Sequence, residues 1–131
     1  MKDSILHKFQ DSVSEVLIRH KSMLDIISKY QESCAKVNRS IIKAATNCGC
    51  IHIDAKAQNI PKDISYEELK DFMDNHVSGE LCDICRDKIN EEMGHHLFYL
   101  VAICNTLDLD IHEILTKQCK NIETLGKYGL Y

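Results

Sequence analysis

Asn47-Cys48-Gly49-Cys50-Ile51-His52-Ile53 is where this chain changes character. Gly49 is the first of five glycines and the single proline, Pro61, comes later, so the first 48 residues contain neither helix breaker. Such a stretch argues for helix, because glycine and proline cost a helix interior most. The two cysteines around Gly49 have counterparts in Cys82-Asp83-Ile84-Cys85, with 31 residues between the pairs. Paired cysteines on turns bring four thiolates to one point with little chain, and that is the donor set of a structural zinc tetrahedron. The glycine permits a sharp bend between Cys48 and Cys50. Cys82 and Cys85 open a predicted helix, whose unpaired amides and dipole favour thiolate over thiol. Cys48, Cys50, Cys82 and Cys85 are therefore the candidate metal ligands. An all-cysteine set leaves no open position for Lewis-acid chemistry, so the expected role of the zinc is structural. An iron–sulfur cluster takes the same four thiolates and stands as the alternative. His52 lies near enough in sequence to replace a cysteine, although a strand residue turned to solvent accounts for it too.

Outward from the clip, apolar spacing predicts an all-α bundle of four main helices. Ile5, Phe9, Val13, Val16 and Leu17 mark a helix over 3–20. Met23, Leu24, Ile27, Cys34, Val37, Ile41 and Ala44 mark a second over about 22–46, with Ser22 and Asp25 resembling a capping pair at a break near His20-Lys21-Ser22, the alternative being a pattern that runs straight through. After the short strand Ile51-His52-Ile53, Ser65-Tyr66-Glu67-Glu68 reads as a capping box. It opens a short helix to about His76 with Leu69, Phe72 and Met73 inward. A long helix from about Cys82 to Leu107 carries Ile89, Met93, Leu97, Leu100, Val101 and Cys104. Asp110 with Glu113 caps the last helix, with Ile111, Ile114, Leu115, Cys119 and Ile122 as its stripe and Gly126 and Gly129 in a loose tail. Cys34, Cys104 and Cys119 fall on these stripes and are expected to pack as small hydrophobes. The whole reads as a single domain over 1–131, with a metal-clipped connection between helices two and three at about 47–86. Closing that connection with a metal offsets the ordering entropy of a segment poor in apolar residues.

Sixteen lysines and arginines stand against twenty acidic residues, a formal charge of −4 with no long basic run. That balance gives little pull toward nucleic acid, which is excluded as a partner. No apolar run approaches the roughly 20 residues that span a bilayer, so no membrane partner is expected. The N-terminal Met1-Lys2-Asp3-Ser4-Ile5 lacks an apolar leader core, and the reading is cytoplasmic. In that compartment seven cysteines read as metal ligands or reduced core residues rather than disulfides.

Glu91-Glu92-Met93-Gly94-His95-His96-Leu97-Phe98-Tyr99-Leu100-Val101-Ala102 resembles the third-helix signature of MazG-like proteins, the all-α nucleoside triphosphate pyrophosphohydrolases. Leu107 through Leu115 looks like that family's entry into its last helix, and Leu24 through Ala35 is similar to its Glu-Glu-x-x-Glu helix. The resemblance covers roughly residues 22–46 and 88–122. It implies carboxylates on facing helices that gather Mg²⁺ beside a triphosphate, an activated water that releases pyrophosphate, and a homodimer. The chain departs from that pattern at its acidic positions. The Glu-x-x-Asp pair stands as Glu92 and His95, and the Glu-Glu-x-x-Glu motif as Gln31, Glu32 and Ala35. Glu32, Glu92 and His95 are thus the candidate catalytic residues. Two carboxylates and an imidazole suit a transition metal better than Mg²⁺, with Mn²⁺ also in view. The expected function is a weakly active or non-catalytic nucleotide-binding or regulatory protein. The alternatives are an active pyrophosphohydrolase of altered metal or substrate preference and a zinc-clipped, redox-responsive interaction module.

Overall fold

In the computed structural model, residues 4–126 are described, and Gly129 of the expected tail lies outside them. Four helices account for most of the chain: α1 (Ile5–Val16), α2 (Met23–Lys43), α3 (Asp83–Thr106) and α4 (Ile111–Leu125). Two short strands, β1 (Ile51–Ile53) and β2 (Val77–Gly79), pair antiparallel between α2 and α3. The arrangement is all-α with four helices and a small ribbon. The chain divides into two compact units, one of residues 4–36 and 92–126 and the other Val37–Glu91. The expected insertion at about 47–86 falls within the second. Among the described residues, no helix is long and apolar enough to cross a membrane.

In the first unit Val13, Ile26, Val101, Ala102, Cys104 and Ile111 form the core, with Phe9, Leu17 and Phe98 packed against it. Burying each valine or isoleucine of this core contributes about 1.5–3 kcal/mol. Ser4 caps α1 by accepting the His7 amide at 3.2 Å. The helix expected over 3–20 ends at Val16: Leu17 turns extended while its amide returns to the Val13 carbonyl at 3.0 Å. Leu17 packs inward while Val16 and Ile18 stay exposed. The α2 stripe is also rotated from expectation. Ile26 is fully buried, whereas Leu24 is 79% exposed and Ile27 and Cys34 face out. The buried line runs through Ser33, which sequence hydropathy does not mark. Its hydroxyl donates to the Tyr30 carbonyl and meets His96 Nδ1, both at 2.8 Å, so burial leaves it satisfied. His96 in turn stacks on Tyr30, ring centroids 4.5 Å apart.

The α3 stripe keeps Val101 and Cys104 but exposes Met93 and Leu97. Asp108 ends the helix with φ +57°, and Leu109 N–H returns to the Cys104 carbonyl at 2.7 Å. Aspartate tolerates that left-handed position better than most side chains. Asp110 caps α4 as expected, accepting the His112 amide at 2.9 Å. Ile111 is the one buried residue of α4, so the expected inward positions of Ile114, Leu115, Cys119 and Ile122 are corrected to exposed. The first turn of α4 is tied to α1 through the Ile111 amide to Gln10 Oε1 at 3.1 Å.

The second unit has a smaller core of Ala44, Ile51 and Ile89, with Ile41, Leu81, Cys50 and Cys85 packed around it. α2 leaves its regular winding through a π-helical turn, Ala44–Cys48, and Gly49 closes it with φ +79°. The short helix expected to His76 is a single 3₁₀ turn, Glu68–Asp71, with Phe72 and Met73 exposed rather than buried. The expected capping box forms in part: Ser65 Oγ accepts the Glu68 amide at 3.3 Å, while Glu68 Oε1 receives the Ser65 hydroxyl at 3.0 Å instead of its backbone amide. A cap without an apolar face to bury does not sustain an isolated helix of this length.

Candidate functional site

Each cysteine pair is set by its local backbone. The π-helical turn ends at Cys48, the left-handed Gly49 reverses the chain, and Cys50 leads into β1. A Cβ on Gly49 would meet nothing within 4 Å, so conformation rather than crowding calls for glycine there. On the other side β2 ends at Gly79, Cys82 immediately precedes α3, and Cys85 lies in the first turn of that helix. The ribbon register, Ile51 opposite Gly79, draws the pairs together. At that step a Cβ on Gly79 would lie 2.5 Å from the Cys50 carbonyl oxygen, so only glycine allows this approach.

The four sulfur atoms all lie within 4.8 Å of one another. Among the described residues they are the one group of three or more His, Cys, Asp or Glu with such spacing, and His52 is outside it. Cys48 and Cys82 stand 3.7 Å apart, and the Cys85 amide donates to Cys82 Sγ at 3.4 Å. That amide, aided by the neighbouring thiols, holds the Cys82 thiol down to about 7. Cys85 is pushed up to about 12, first by the adjacent Cys82 sulfur and then by burial. Cys48 is raised as well, chiefly by Cys82. One negative charge thus settles readily on the cluster, and further ones are opposed until a cation joins them. All seven cysteines are free thiols, with Cys104 the buried one. The cluster can chelate a metal ion, and its all-sulfur donor set fits a soft or borderline cation.

The candidate catalytic residues belong to the first unit. Glu92 is buried, with a carboxylate oxygen 3.6 Å from His95 Nδ1. Glu32 is exposed, and its Oε1 faces Lys36 Nζ at 3.2 Å and Lys29 Nζ at 3.7 Å. Lys36, then Lys29, hold its carboxyl below the ordinary range. Glu32 and His95 line one cavity of about 390 Å³ together with Phe9, Phe98 and Tyr99, whereas Glu92 is not among its walls. Gln31 and Ala35 are exposed. The lysines were not among the residues nominated from sequence. Their signal is the spacing Lys29-x-x-Glu32-x-x-x-Lys36, which puts both ammonium groups one turn from the carboxylate.

No protein-family model, curated protein or solved structure matches the chain.

Proposed function

We propose that this is a zinc-clipped helical protein of MazG-like descent whose acidic centre has lost its Mg²⁺-carboxylate chemistry. What remains is a weakly active or non-catalytic nucleotide-binding or regulatory protein. The convergence of four sulfurs within 4.8 Å carries the first half of this reading. A zinc–sulfur bond of about 2.3 Å gives a tetrahedral edge of about 3.8 Å, against 3.7 Å between Cys48 and Cys82. A cubane cluster seats its thiolates on four separate irons and spreads them more widely, so the spacing favours one ion. Bound zinc would neutralise the thiolates and tie Cys48 and Cys50 to Cys82 and Cys85. Those four residues would hold it, and its binding free energy would stabilise the fold.

The second half rests on the surroundings of the carboxylates. Glu32 has one oxygen engaged by two ammonium groups and Glu92 is buried beside His95, so a hard cation would meet two positive charges at the first carboxylate and a desolvation cost at the second. The same reading makes the protein a cytoplasmic homodimer: free thiols suit a reducing compartment, and Ile5, Ile18 and Leu24 leave apolar surface for a second copy. Light scattering should then return twice the 15.0 kDa chain mass, and a monomer would remove the dimer.

Elemental analysis of the purified protein tests the clip, with one zinc per chain expected. Protein that is folded, binds no added zinc and contains none would end that reading. A screen of nucleoside triphosphates with Mg²⁺ or Mn²⁺ should give little pyrophosphate; turnover in the ordinary enzyme range, about 1 s⁻¹ or above, would restore an active hydrolase. A second reading, the redox-responsive module, draws on the exposure of Cys48 and its 3.7 Å approach to Cys82. Hydrogen peroxide would take two electrons from that pair, forming the S–S bond, while two protons complete its reduction to two waters and the ion is released. Zinc release by peroxide together with altered binding of a partner protein would favour this reading.

A further inference from the structure

The cavity of the first unit has a composition opposite to that of a magnesium site. Its rim carries Lys29 and Lys36, drawn to a single oxygen of Glu32, so the trio has a net positive charge and two ammonium groups close together. Its walls include three aromatic rings, Phe9, Phe98 and Tyr99. The volume, about 390 Å³, falls in the range of small-molecule sites. Gly94 adds an independent sign. It sits inside α3, where glycine costs a helix about 1 kcal/mol relative to alanine. Yet its backbone is not left-handed, and a Cβ there would meet nothing within 4 Å. Neither crowding nor conformation within the chain calls for glycine at this position. What the missing side chain does is leave the cavity open, since Gly94 lines it.

We infer that this cavity binds a small aromatic anion directly, without a bridging divalent metal, with Lys29 and Lys36 receiving the anionic head and Phe9, Phe98 and Tyr99 flanking the ring. This deepens the ligand-binding reading above and rests on it. Glu32 has a different role here from that of a metal ligand: it gathers the two lysines. The head can be a phosphate or a carboxylate, because ammonium groups attract either as point charges.

The test is calorimetric titration of zinc-loaded full-length protein in buffer without added divalent ions, using 1-naphthyl phosphate, 1-naphthoate and neutral 1-naphthol. At least one anion should bind ten times more tightly than 1-naphthol, and the better anion identifies the head group. Lys29→Met with Lys36→Met should weaken that anion at least tenfold. Gly94→Ala should weaken binding and Gly94→Leu abolish it, both at unchanged circular dichroism. Added Mg²⁺ should leave the affinity within twofold. Equal binding of anion and naphthol, no binding of any probe, or full binding by Gly94→Leu would overturn the inference. A tenfold gain with Mg²⁺ would overturn both the metal-free claim and the eroded-centre reading. Zinc content measured on the same samples keeps the cysteine clip separate, since loaded protein that ignores every probe fails here alone.

Discussion

Cys82 and Cys85, three residues apart in sequence, are shifted in opposite directions. Cys82 is lowered from about 9 to about 7, and Cys85 is raised from about 9 to about 12. Cys82 prefers the folded state as thiolate, so its contribution is complete above pH 9 and is lost as pH falls through about 7. Cys85 prefers the folded state as thiol, so its contribution is complete below pH 9 and is lost as pH rises toward about 12. The urea midpoint of metal-free protein should therefore rise from pH 7 to 9 and fall above it. A flat profile would show that the cluster does not hold its charge as described. Ile26 is the simpler case. It is fully buried in the first core, and Ile26→Ala should cost about 2–5 kcal/mol in equilibrium unfolding. Leu24, two residues earlier and largely exposed, should tolerate the same change within about 0.5 kcal/mol. Hydropathy alone ranks these two residues alike; only packing separates them.

At the scale of elements, the ribbon of β1 and β2 decides whether the thiols meet. Gly79 and Gly49 both have positive φ, but they answer to different constraints. At Gly79 an added methyl would collide with the Cys50 carbonyl oxygen, which is backbone and cannot swing away. At Gly49 only the left-handed conformation resists substitution, a cost of about 1–2 kcal/mol. Competition with a chromophoric chelator should show Gly79→Ala losing at least ten times more zinc affinity than Gly49→Ala. Comparable losses would mean that the ribbon does not set the site. Both cysteine pairs, the strand at Ile51–Ile53 and the long helix ahead of Thr106 are readable from spacing and breakers. The π-helical turn, the failure of the helix after Ser65 and the rotated face of α2 are not. Each depends on what lies opposite: a hydroxyl such as Ser33 becomes a buried residue only when His96 and the Tyr30 carbonyl are there to receive it.

For the whole molecule, the two compact units predict an uneven response to metal removal. The first has its own core of Val13, Ile26, Val101 and Ala102, whereas Ala44, Ile51 and Ile89 form a much smaller one in the second. After chelation, amide hydrogen exchange should accelerate at least a hundredfold at Ile51–Ile53, while Val101 and Ala102 remain protected. Uniform acceleration would show that zinc governs the entire chain. The sequence by itself determined the helical class and the four-cysteine cluster that can chelate a metal, because helix breakers, apolar periods and paired thiols act over a few residues. Tertiary structure alone decided that Ser33 is buried against His96, that Gly94 lines a cavity with Phe9 and Phe98, and that Cys34 and Cys119 face solvent. Those outcomes turn on which faces meet across long stretches of chain, and a local pattern of hydropathy and charge does not encode the partner.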